Sequence, residues 1–358
     1  MTSQKLLYTV SDDMALGIFD SDGSILFKTT FRANSLLRNT LGFQVCYSVG
    51  QSTSKVETVQ KFAKKFCGTV PRTECRMNQS SPAGQKVRQF LLKNTPKHPD
   101  RRYDFLISEQ VLPFLKRNTK MTTVQQITVA YLISQKSVLQ NKGTSHEYFN
   151  KCCLHVRATQ AEIQQGLLIA KEIMAKMNKE IELFYKTLPT MEMSDDYVIG
   201  AHCGDGSFYV ALSWKPTEKS HRLRCEPEWA ISGYKKPYCQ AFANKYGGVT
   251  KPVDSEGQIK FVLSGIQKCS TLVHLFENAP WMPQYKQEQF ERWKASLTLL
   301  KNQEHFTQEG IVRLLDLTYG LAEKGGRKYS KEQYLEWGLA WLNNSSRQKR
   351  RPRGKMSP

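Results

Sequence analysis

The sequence lacks the features of a membrane, secreted or zinc-binding protein. No apolar run reaches the roughly 18 residues that a membrane-spanning helix needs, and the first ten residues lack the apolar segment of a signal peptide. The nine cysteines are scattered, without a CxxC pair or histidines at zinc-binding spacing. We therefore expect a soluble intracellular protein with reduced thiols and no membrane partner.

Acidic residues are scarce relative to basic ones. Lys and Arg number 52 against 32 Asp and Glu, and the resulting charge of +20 creates a positive potential that attracts polyanions. Nucleic acid is the leading partner, with a ribosomal-type scaffold or an anionic membrane surface as alternatives. Hydrophobic residues make up 40% of the 358-residue chain, which is enough to bury cores in two domains of about 150 residues each.

An internal repeat divides the chain. The segments SDDMALGIFDSDGSI at 11–25 and SDDYVIGAHCGDGSF at 194–208 share seven of fifteen positions, at an offset of 183 residues. Each Ser-Asp-Asp cluster suits a helix N-terminus. Each Asp-Gly pair marks a helix end, with the glycine expected in the left-handed conformation. The repeat therefore predicts two similar halves that both begin with a short apolar helix.

Strands and further helices are expected after each motif. The predicted strands are 24–33 and 36–48 in the first half, and 207–214 and 221–232 in the second. The predicted helices are 56–66, 102–116, 121–135 and 158–185, then 239–246, 270–278, 288–300 and 330–342. Each half therefore reads as an α+β unit with a mostly antiparallel sheet.

These patterns also suggest domain boundaries. The predicted division is a first domain at 1–186, a linker at 187–193, a second domain at 194–345 and a basic disordered tail at 346–358. The tail could contact phosphates or simply be solvated, and the sequence leaves both readings open.

The two repeated segments resemble the LAGLIDADG motif of the homing endonucleases. The motif matches are Ala15–Gly23 and Val198–Gly206, and the resemblance extends over most of residues 5–300. It points to the single-chain, two-motif type that is usually encoded in group I introns. The resemblance implies two pseudo-symmetric α+β repeats whose antiparallel sheets form a saddle on DNA, with the motif helices packed closely through small residues such as Gly17 and Gly200.

The resemblance assigns the chemistry to the last acid of each motif. Asp22 and Asp205 are the implied ligands of Mg²⁺, with Mn²⁺ as a substitute, in a two-metal hydrolysis of phosphodiester bonds. The earlier acid of the motif is Asp20 in the first half but Cys203 in the second. That departure puts local support at residue 203 in question more than it does catalysis.

Polar and basic residues are expected around the metals. In an alignment on the helix that follows the strands, Gln51 and Lys55 occupy positions where the family organises water, and the same alignment reaches Ile231 and Lys235 in the second half. Only the basic position is therefore kept in both halves.

The resemblance also implies a catalytic lysine near the start of a later helix. Lys286 fits this role in the second half. Lys120 fits it in the first half, with Lys116 as an alternative.

Alternation along the strands predicts the DNA-reading residues. Alternate residues of a strand share a face, and a sheet in the major groove presents that face to base edges and phosphates. The predicted contacts are Lys28, Thr30, Arg32, Gln44 and Ser48 in the first half, and Tyr209, Ser213, Lys215, Arg222, Arg224, Glu226 and Glu228 in the second. The alternative is a solvated face with cross-strand ion pairs. Because the halves differ at these positions, we expect an asymmetric target.

The apolar residues of opposite parity are Ile25, Phe27 and Phe31. They are expected to pack under the helices.

The sequence as a whole predicts a monomeric, Mg²⁺-dependent, site-specific endonuclease that acts on double-stranded DNA. One alternative is a maturase or splicing cofactor for a group I intron RNA, with or without residual nuclease activity. Another is a nucleic-acid-binding scaffold that has lost the chemistry. The family resemblance, rather than any transit peptide, suggests a chloroplast or a mitochondrion as the compartment.

Overall fold

The computed structural model describes residues 9–33, 39–115, 120–136, 143–217, 220–233, 236–253, 258–321 and 329–349, and the backbone alone at 54, 215–217, 220–222 and 344–349. Internal contacts divide the chain into two compact units. One unit comprises Met1–Asp205 and Lys235–Ala241, and the other comprises Gly206–Tyr234 and Phe242–Pro358.

The first unit combines a three-stranded antiparallel sheet with helices. Its strands, in the order β1-β2-β3, are β1 (Gly23–Arg32), β2 (Thr40–Gly50) and β3 (Glu74–Asn78). Its helices are α1 (Asp12–Asp22), α2 (Val56–Phe66), α3 (Pro82–Lys93), α4 (Pro99–Val111), α5 (Thr123–Ser134), α6 (Ser145–His155), α7 (Gln160–Thr187) and α8 (Asp195–Asp205). The second-motif helix α8 therefore belongs to the same unit as α1.

The second unit contains a four-stranded antiparallel sheet. Its strand order is β4-β5-β7-β6, formed by β4 (Gly206–Thr217), β5 (Ser220–Gly233), β6 (Val249–Pro252) and β7 (Ile259–Ser264). Helix α9 (Lys236–Tyr246) begins in the first unit and ends in the second, and the later helices are α10 (Ile266–Glu277), α11 (Gln284–Lys301), α12 (Gln308–Tyr319) and α13 (Lys331–Lys349). The predicted α+β class with antiparallel sheets is confirmed.

Several elements were not predicted from the sequence. They are β3, β6, β7, α3, α6 and α12. The predicted linker at 187–193 contains the 3-10 turn Leu188–Thr190. Helix α13 continues to Lys349, so residues 346–349 of the predicted tail are helical, and 350–358 lie outside the described residues. The domain boundaries stay a prediction. Within the described residues, no helix is both long and apolar enough to cross a membrane.

The motif helices begin as the sequence predicts, but their terminal glycines act differently. Ser11 caps α1 by accepting a hydrogen bond from the Met14 amide at 3.1 Å. The prediction that Gly23 adopts the left-handed conformation is wrong, because its backbone is extended, with φ −76° and ψ 158°. Glycine is required there for space, since a Cβ would lie 2.3 Å from the Phe19 carbonyl oxygen. Gly206 also lacks a positive φ.

The predicted alternation of polar and apolar residues along β1 agrees with the packing of its apolar face. Ile25 is fully buried, and the Phe31 ring meets His155 of α6 edge-on at 5.0 Å. The Thr29 and Tyr148 hydroxyls are hydrogen-bonded at 2.7 Å, which ties β1 to α6 through the same face. Phe27 lies under the Lys136 ammonium, 5.9 Å from its ring centre. The expectation that this face packs against helices is confirmed.

Helices α1 and α8 pack with their backbones in contact. A Cβ built on Gly17 would lie 2.2 Å from the Tyr197 carbonyl oxygen, and one on Gly200 would lie 2.2 Å from the Met14 carbonyl oxygen. A Cβ built on Gly204, one turn further along α8, would lie only 2.1 Å from the Ser21 hydroxyl oxygen. No side chain fits between these helices at the crossing, so glycine is a steric requirement there.

Replacing Gly200 with alanine tests this contact. We expect Gly200→Ala to lower the free energy of unfolding by about 1–3 kcal/mol, because the added methyl group must displace backbone rather than a flexible side chain. Denaturant unfolding of the purified protein measures the change.

The matched control is Gly50→Ala. Its nearest neighbour would be the Glu74 Cγ at 3.5 Å, an ordinary contact. Its effect should stay within about 0.5 kcal/mol. Equal losses in the two variants would contradict the close approach of α1 and α8.

Candidate catalytic centre and nucleic-acid interface

Asp22 lies at the C-terminal end of α1, partly exposed. Its carboxylate accepts a hydrogen bond from the side-chain amide of Gln51, which follows β2. A Cβ on Gly204 would lie 2.6 Å from Asp22 Oδ2. The carboxylate therefore lies against the last turn of α8, the turn that ends at Asp205.

Asp205 is the last residue of α8 and is exposed to solvent. Both motif acids thus stand at helix C-termini, where the helix dipole is negative. Two carboxylates added to two negative helix ends repel one another, and a cation relieves that repulsion. The packing of α1 against α8 therefore creates a local excess of negative charge on a chain of net charge +20.

The donor set suits a hard, hydrated cation. In the described part of the chain, no three His, Cys, Asp or Glu side chains converge closely enough to hold a metal ion by themselves. An ion held by Asp22 and Asp205 would take its other ligands from water or from a bound phosphate. Such a set of ligands is typical of Mg²⁺ sites, because Mg²⁺ keeps several waters and binds through one or two carboxylates plus substrate oxygens.

Asp20 serves a different purpose from Asp22, two residues away. It is fully buried and accepts hydrogen bonds from the Tyr197 hydroxyl and the Lys97 amide, both at 2.8 Å. Burial raises the pKa of Asp20 to about 6, although these donors oppose the rise. The Tyr197 hydroxyl lies 3.2 Å from that of Tyr238 in α9. Asp20 therefore links the two motif helices rather than facing substrate.

The repeat makes this link one-sided. Asp20 and Tyr197 correspond through the 183-residue offset to Cys203 and Met14, which are both buried. The carboxylate of Asp20 thus corresponds to the thiol of Cys203, and its phenol donor Tyr197 corresponds to the thioether of Met14. The sequence suggested that Cys203 weakens local support. The structure shows that the whole pair changes, so no carboxylate is left without its donor.

The strand register corrects the alignment of the residues around the metals. Val49 pairs with Gly23 and Ile231 pairs with Gly206, so Ile231 corresponds to Val49 rather than to Gln51. The counterpart of Gln51 is Gly233, the last residue of β5. Counted from the equivalent residues Val49 and Ile231, the next helix starts seven residues later in the first half but five residues later in the second, and this difference of two caused the misalignment.

The basic residues of this alignment are only partly placed. Lys55, of intermediate exposure, directly precedes α2. Lys235 lies outside the described residues.

The predicted catalytic lysines differ in their surroundings. Lys286, in the first turn of α11, is only 3% exposed, and its ammonium donates to the carbonyl of Gly206, the residue that follows Asp205 in the chain. Lys120 is exposed, just before the capping box that starts α5. Lys116 lies outside the described residues. Of the lysines that the structure describes, Lys286 and Lys120 are therefore not equivalent in their surroundings.

The predicted DNA-reading face of the first sheet is open to solvent over most of its length. Lys28, Thr30 and Arg32 are exposed on β1, and Gln44 lies directly opposite Lys28 on β2. Ser48 shares the face but is buried, with its hydroxyl donated to Glu74 of β3. Ser48 is therefore less suited to contact DNA than the other four.

On the second sheet the predicted residues also share one face. Tyr209 pairs with Glu228 and Ser213 pairs with Arg224 in the register. Arg224 is exposed and forms an ion pair with Glu226 at 2.8 Å along the same strand. Glu228 is buried and hydrogen-bonded by Tyr209, so its carboxylate already has a protein partner.

Lys215 and Arg222 of this face pair with each other in the backbone register. Their side chains lie outside the described residues.

Residues on the strands β3 and β7 extend the two faces and were missed in the sequence. Arg76 of β3 pairs with Ser48, and Lys260 of β7 pairs with both Ser232 and Lys251. Arg76 could have been found, because the segment Glu74–Asn78 alternates polar and apolar residues as a half-buried strand does. The Lys260 ammonium lies over the Tyr209 ring, 5.6 Å from its centre, which places positive charge beside a predicted contact.

Comparisons with solved structures identify the fold. The LAGLIDADG homing endonuclease I-SmaMI bound to cleaved DNA matches with a TM-score of 0.65 and 15% identity, covering 87% of this chain and 97% of that one. The LAGLIDADG homing endonuclease I-LtrWI bound to target DNA matches with a TM-score of 0.63 and 13% identity, over 87% and 97%. I-SmaMI bound to uncleaved DNA target in the presence of calcium ions matches with a TM-score of 0.58 and 15% identity, over 87% and 99%.

The chain therefore has the fold of the single-chain LAGLIDADG homing endonucleases, and the resemblance inferred from its motifs is confirmed at that level. No family model matches the sequence. No curated protein matches it either.

The link between Asp20 and Tyr197 leads to a stability prediction. We expect Tyr197→Phe to lower the free energy of unfolding by about 1–3 kcal/mol at neutral pH, because a buried carboxylate loses a donor. Urea unfolding checks it.

The matched control is Tyr238→Phe. This variant loses the same atom but leaves the Tyr197 and Lys97 donors of Asp20 in place. We expect a clearly smaller loss. If the control destabilises the protein as much as Tyr197→Phe does, the hydrogen bond to Asp20 is not the reason.

Proposed function

We propose that the protein is a site-specific endonuclease that cleaves both strands of DNA with Mg²⁺, Mn²⁺ serving as a substitute. The observation that carries the proposal is the glycine-mediated crossing of α1 and α8, because it brings the Asp22 carboxylate against the helix turn that ends at Asp205. The similar structures I-SmaMI and I-LtrWI are named as homing endonucleases bound to DNA, which supports the same substrate class.

Asp22 and Asp205 would hold the divalent cations. Ions bound there would lower the pKa of the attacking water and stabilise the leaving oxygen. Gln51, hydrogen-bonded to Asp22, is placed to orient water near that carboxylate. Lys286 carries a positive charge beside the start of β4, where it can stabilise a developing negative charge on phosphate. Lys55, Lys120 and Lys235 are proposed as further basic groups.

The two sheet faces would read the target. Exposed Lys28, Arg32 and Arg224 can contact phosphates or guanine edges. The first face is mostly basic and hydroxylic, whereas the second carries an Arg and Glu pair and a Tyr and Glu pair. Because unlike faces match unlike sequences, the target would be long and asymmetric, and the protein would act as a monomer.

Group I intron RNA is a second polyanion that the charge of +20 would attract. A maturase role is the alternative that the motif resemblance and this charge allow, whereas the paired carboxylates favour cleavage. An organellar compartment is proposed from the motif resemblance only. Whether the reading frame lies inside an intron would identify the test substrate, which is the DNA formed by joining the flanking exons.

Removing either motif acid tests the chemistry. We expect Asp22→Asn or Asp205→Asn to slow cleavage of this substrate in Mg²⁺ by at least about 100-fold, because each variant removes a metal ligand. Binding in Ca²⁺, measured by fluorescence anisotropy, should change little.

Asp195→Asn is the matched control. It removes one negative charge from the first turn of the same helix α8. It should cut at a rate close to that of wild type. If the wild-type protein binds DNA tightly but cuts in neither Mg²⁺ nor Mn²⁺, the nuclease proposal fails and the maturase alternative is favoured.

Gln51 generates a strand-specific prediction, because its counterpart is Gly233. We expect Gln51→Ala to slow cutting of one strand by about 10–100-fold while the other strand is cut nearly normally, so that nicked DNA accumulates. Separate end-labelling of each strand measures the two rates.

Gln44→Ala removes the same amide from the sheet face. It should weaken target binding without changing the ratio of the two rates. Equal slowing of both strands in Gln51→Ala would contradict a role confined to Asp22.

A further inference from the structure

The C-terminal helix α13 packs beneath the far end of the β4 and β5 hairpin. In the structure, Leu223, Ile311, Leu315 and Tyr334 form a buried apolar cluster in the second unit, with Leu212, Trp214 and Trp337 packed against it. The cluster joins α13 and α12 to the underside of the hairpin.

Two aromatic residues of α13 make direct contacts with β4. The Tyr334 hydroxyl donates a 3.0 Å hydrogen bond to the Leu212 carbonyl, and Tyr334 is 4% exposed. The Trp337 ring stacks on Trp214 with ring centres 5.4 Å apart and planes inclined by 21°. A backbone atom and a side chain of the same strand segment are thereby fixed to α13.

Helix α13 is itself anchored to the rest of its unit. A Cβ on Gly338 would lie 3.1 Å from Ile311 of α12 and 3.4 Å from Leu223 of β5, so the helix backbone sits directly against both elements. The Tyr319 hydroxyl, at the end of α12, donates to the Tyr329 carbonyl at 2.8 Å, just before α13 begins. The contacts with β4 are therefore made from a supported helix.

The hairpin needs this support at its far end. β5 pairs with β7 only over Glu228–Gly233, and in the described residues no second strand flanks its earlier part. That part is a two-stranded ribbon, which is marginal in water unless another layer covers one side. Leu212 and Trp214 lie on the covered side, whereas Ser213 and Arg224 lie on the predicted DNA-reading side.

We propose that Tyr334 and Trp337 are positioning residues that determine specificity at the outer base pairs of one half of the target. The inference rests on the proposed function. Trp214 lies eight residues along β4 from Gly206, about 26 Å at 3.3 Å per residue. That length spans roughly seven or eight base pairs at 3.4 Å each. If the contacts of Tyr334 and Trp337 hold the hairpin firmly at this distance, its side chains discriminate between bases at the outer base pairs. If those contacts are lost, the discrimination falls.

The first unit supplies a matched arrangement by other contacts. There α6 lies under β1, where the Tyr148 and Thr29 hydroxyls are 2.7 Å apart and His155 approaches the Arg32 carbonyl at 3.3 Å. Tyr148→Phe is therefore the reciprocal of Tyr334→Phe, because each removes one hydroxyl contact to the strand above.

The test compares position-resolved specificity among variants. A randomised double-stranded DNA library is cleaved in Mg²⁺ by wild type, Trp337→Leu, Trp337→Phe, Tyr334→Phe and Tyr148→Phe, and the surviving and cleaved sequences are counted at each position. For Trp337→Leu we expect discrimination to fall about fivefold or more at the outer positions of one half-site. The central positions and the other half-site should keep their wild-type preferences.

The other variants should rank in a defined way. Trp337→Phe keeps a ring against Trp214 and should restore most of the discrimination. Tyr334→Phe should relax the same positions to a smaller degree, and Tyr148→Phe should relax the opposite half-site.

Three outcomes would overturn the inference. They are an unchanged profile in Trp337→Leu and Tyr334→Phe, a uniform loss at all positions in both, or relaxation of both half-sites by Tyr334→Phe. If Trp337→Leu fails to fold, the Tyr334→Phe and Tyr148→Phe pair decides the matter. A wild-type protein that cleaves no sequence would refute the proposed function itself, which separates the two failures.

Discussion

The rest of the site depends on the direct backbone contact between α1 and α8. Gly17 and Gly200 let each helix approach a carbonyl oxygen of the other, and Gly204 lets the last turn of α8 lie against Asp22. Without that approach, Asp22 and Asp205 would be two separate surface acids with no reason to share a cation. With it, the Asp22 carboxylate lies against the turn of α8 that ends at Asp205, and the proposed function assigns a shared cation to these two acids. The same contact places both motif helices in the first unit, although the motifs are 183 residues apart.

The pseudo-symmetry of the repeats ends at the residues that surround the acids. Asp20 and Tyr197 form a buried polar link, whereas the corresponding Cys203 and Met14 are less polar. Gln51 contacts Asp22, whereas its counterpart Gly233 has no side chain to offer. The hairpins are also supported differently, by hydroxyl and ring contacts from α6 in one unit and by the aromatic cluster of α13 in the other. Under the proposed function, each of these differences would act on one strand or on one half of the DNA target.

Much of this arrangement could be predicted from local patterns. Ser11 and the apolar run after it predicted α1, and the alternation of Phe27 and Phe31 with Lys28 and Thr30 predicted which face of β1 is buried. Features set by long-range pairing could not be predicted. The Tyr197 donor lies 177 residues from Asp20. The counterpart of Gln51 depends on a strand register that an alignment on the following helix shifts by two residues. Gly23 was predicted to be left-handed, but its role is to make room for the Phe19 carbonyl, a contact that composition does not reveal.

The central claim is that Asp22 and Asp205 act together as one cation-binding pair. Calorimetric titration of Ca²⁺ into the DNA-bound protein tests it most directly, because Ca²⁺ prefers oxygen ligands and the measurement does not require cleavage. The account predicts that neutralising either acid weakens cation binding strongly, and that neutralising both adds little further loss because the two acids share the site. Cation binding that survives the loss of either acid, or two independent losses that simply add, would contradict it.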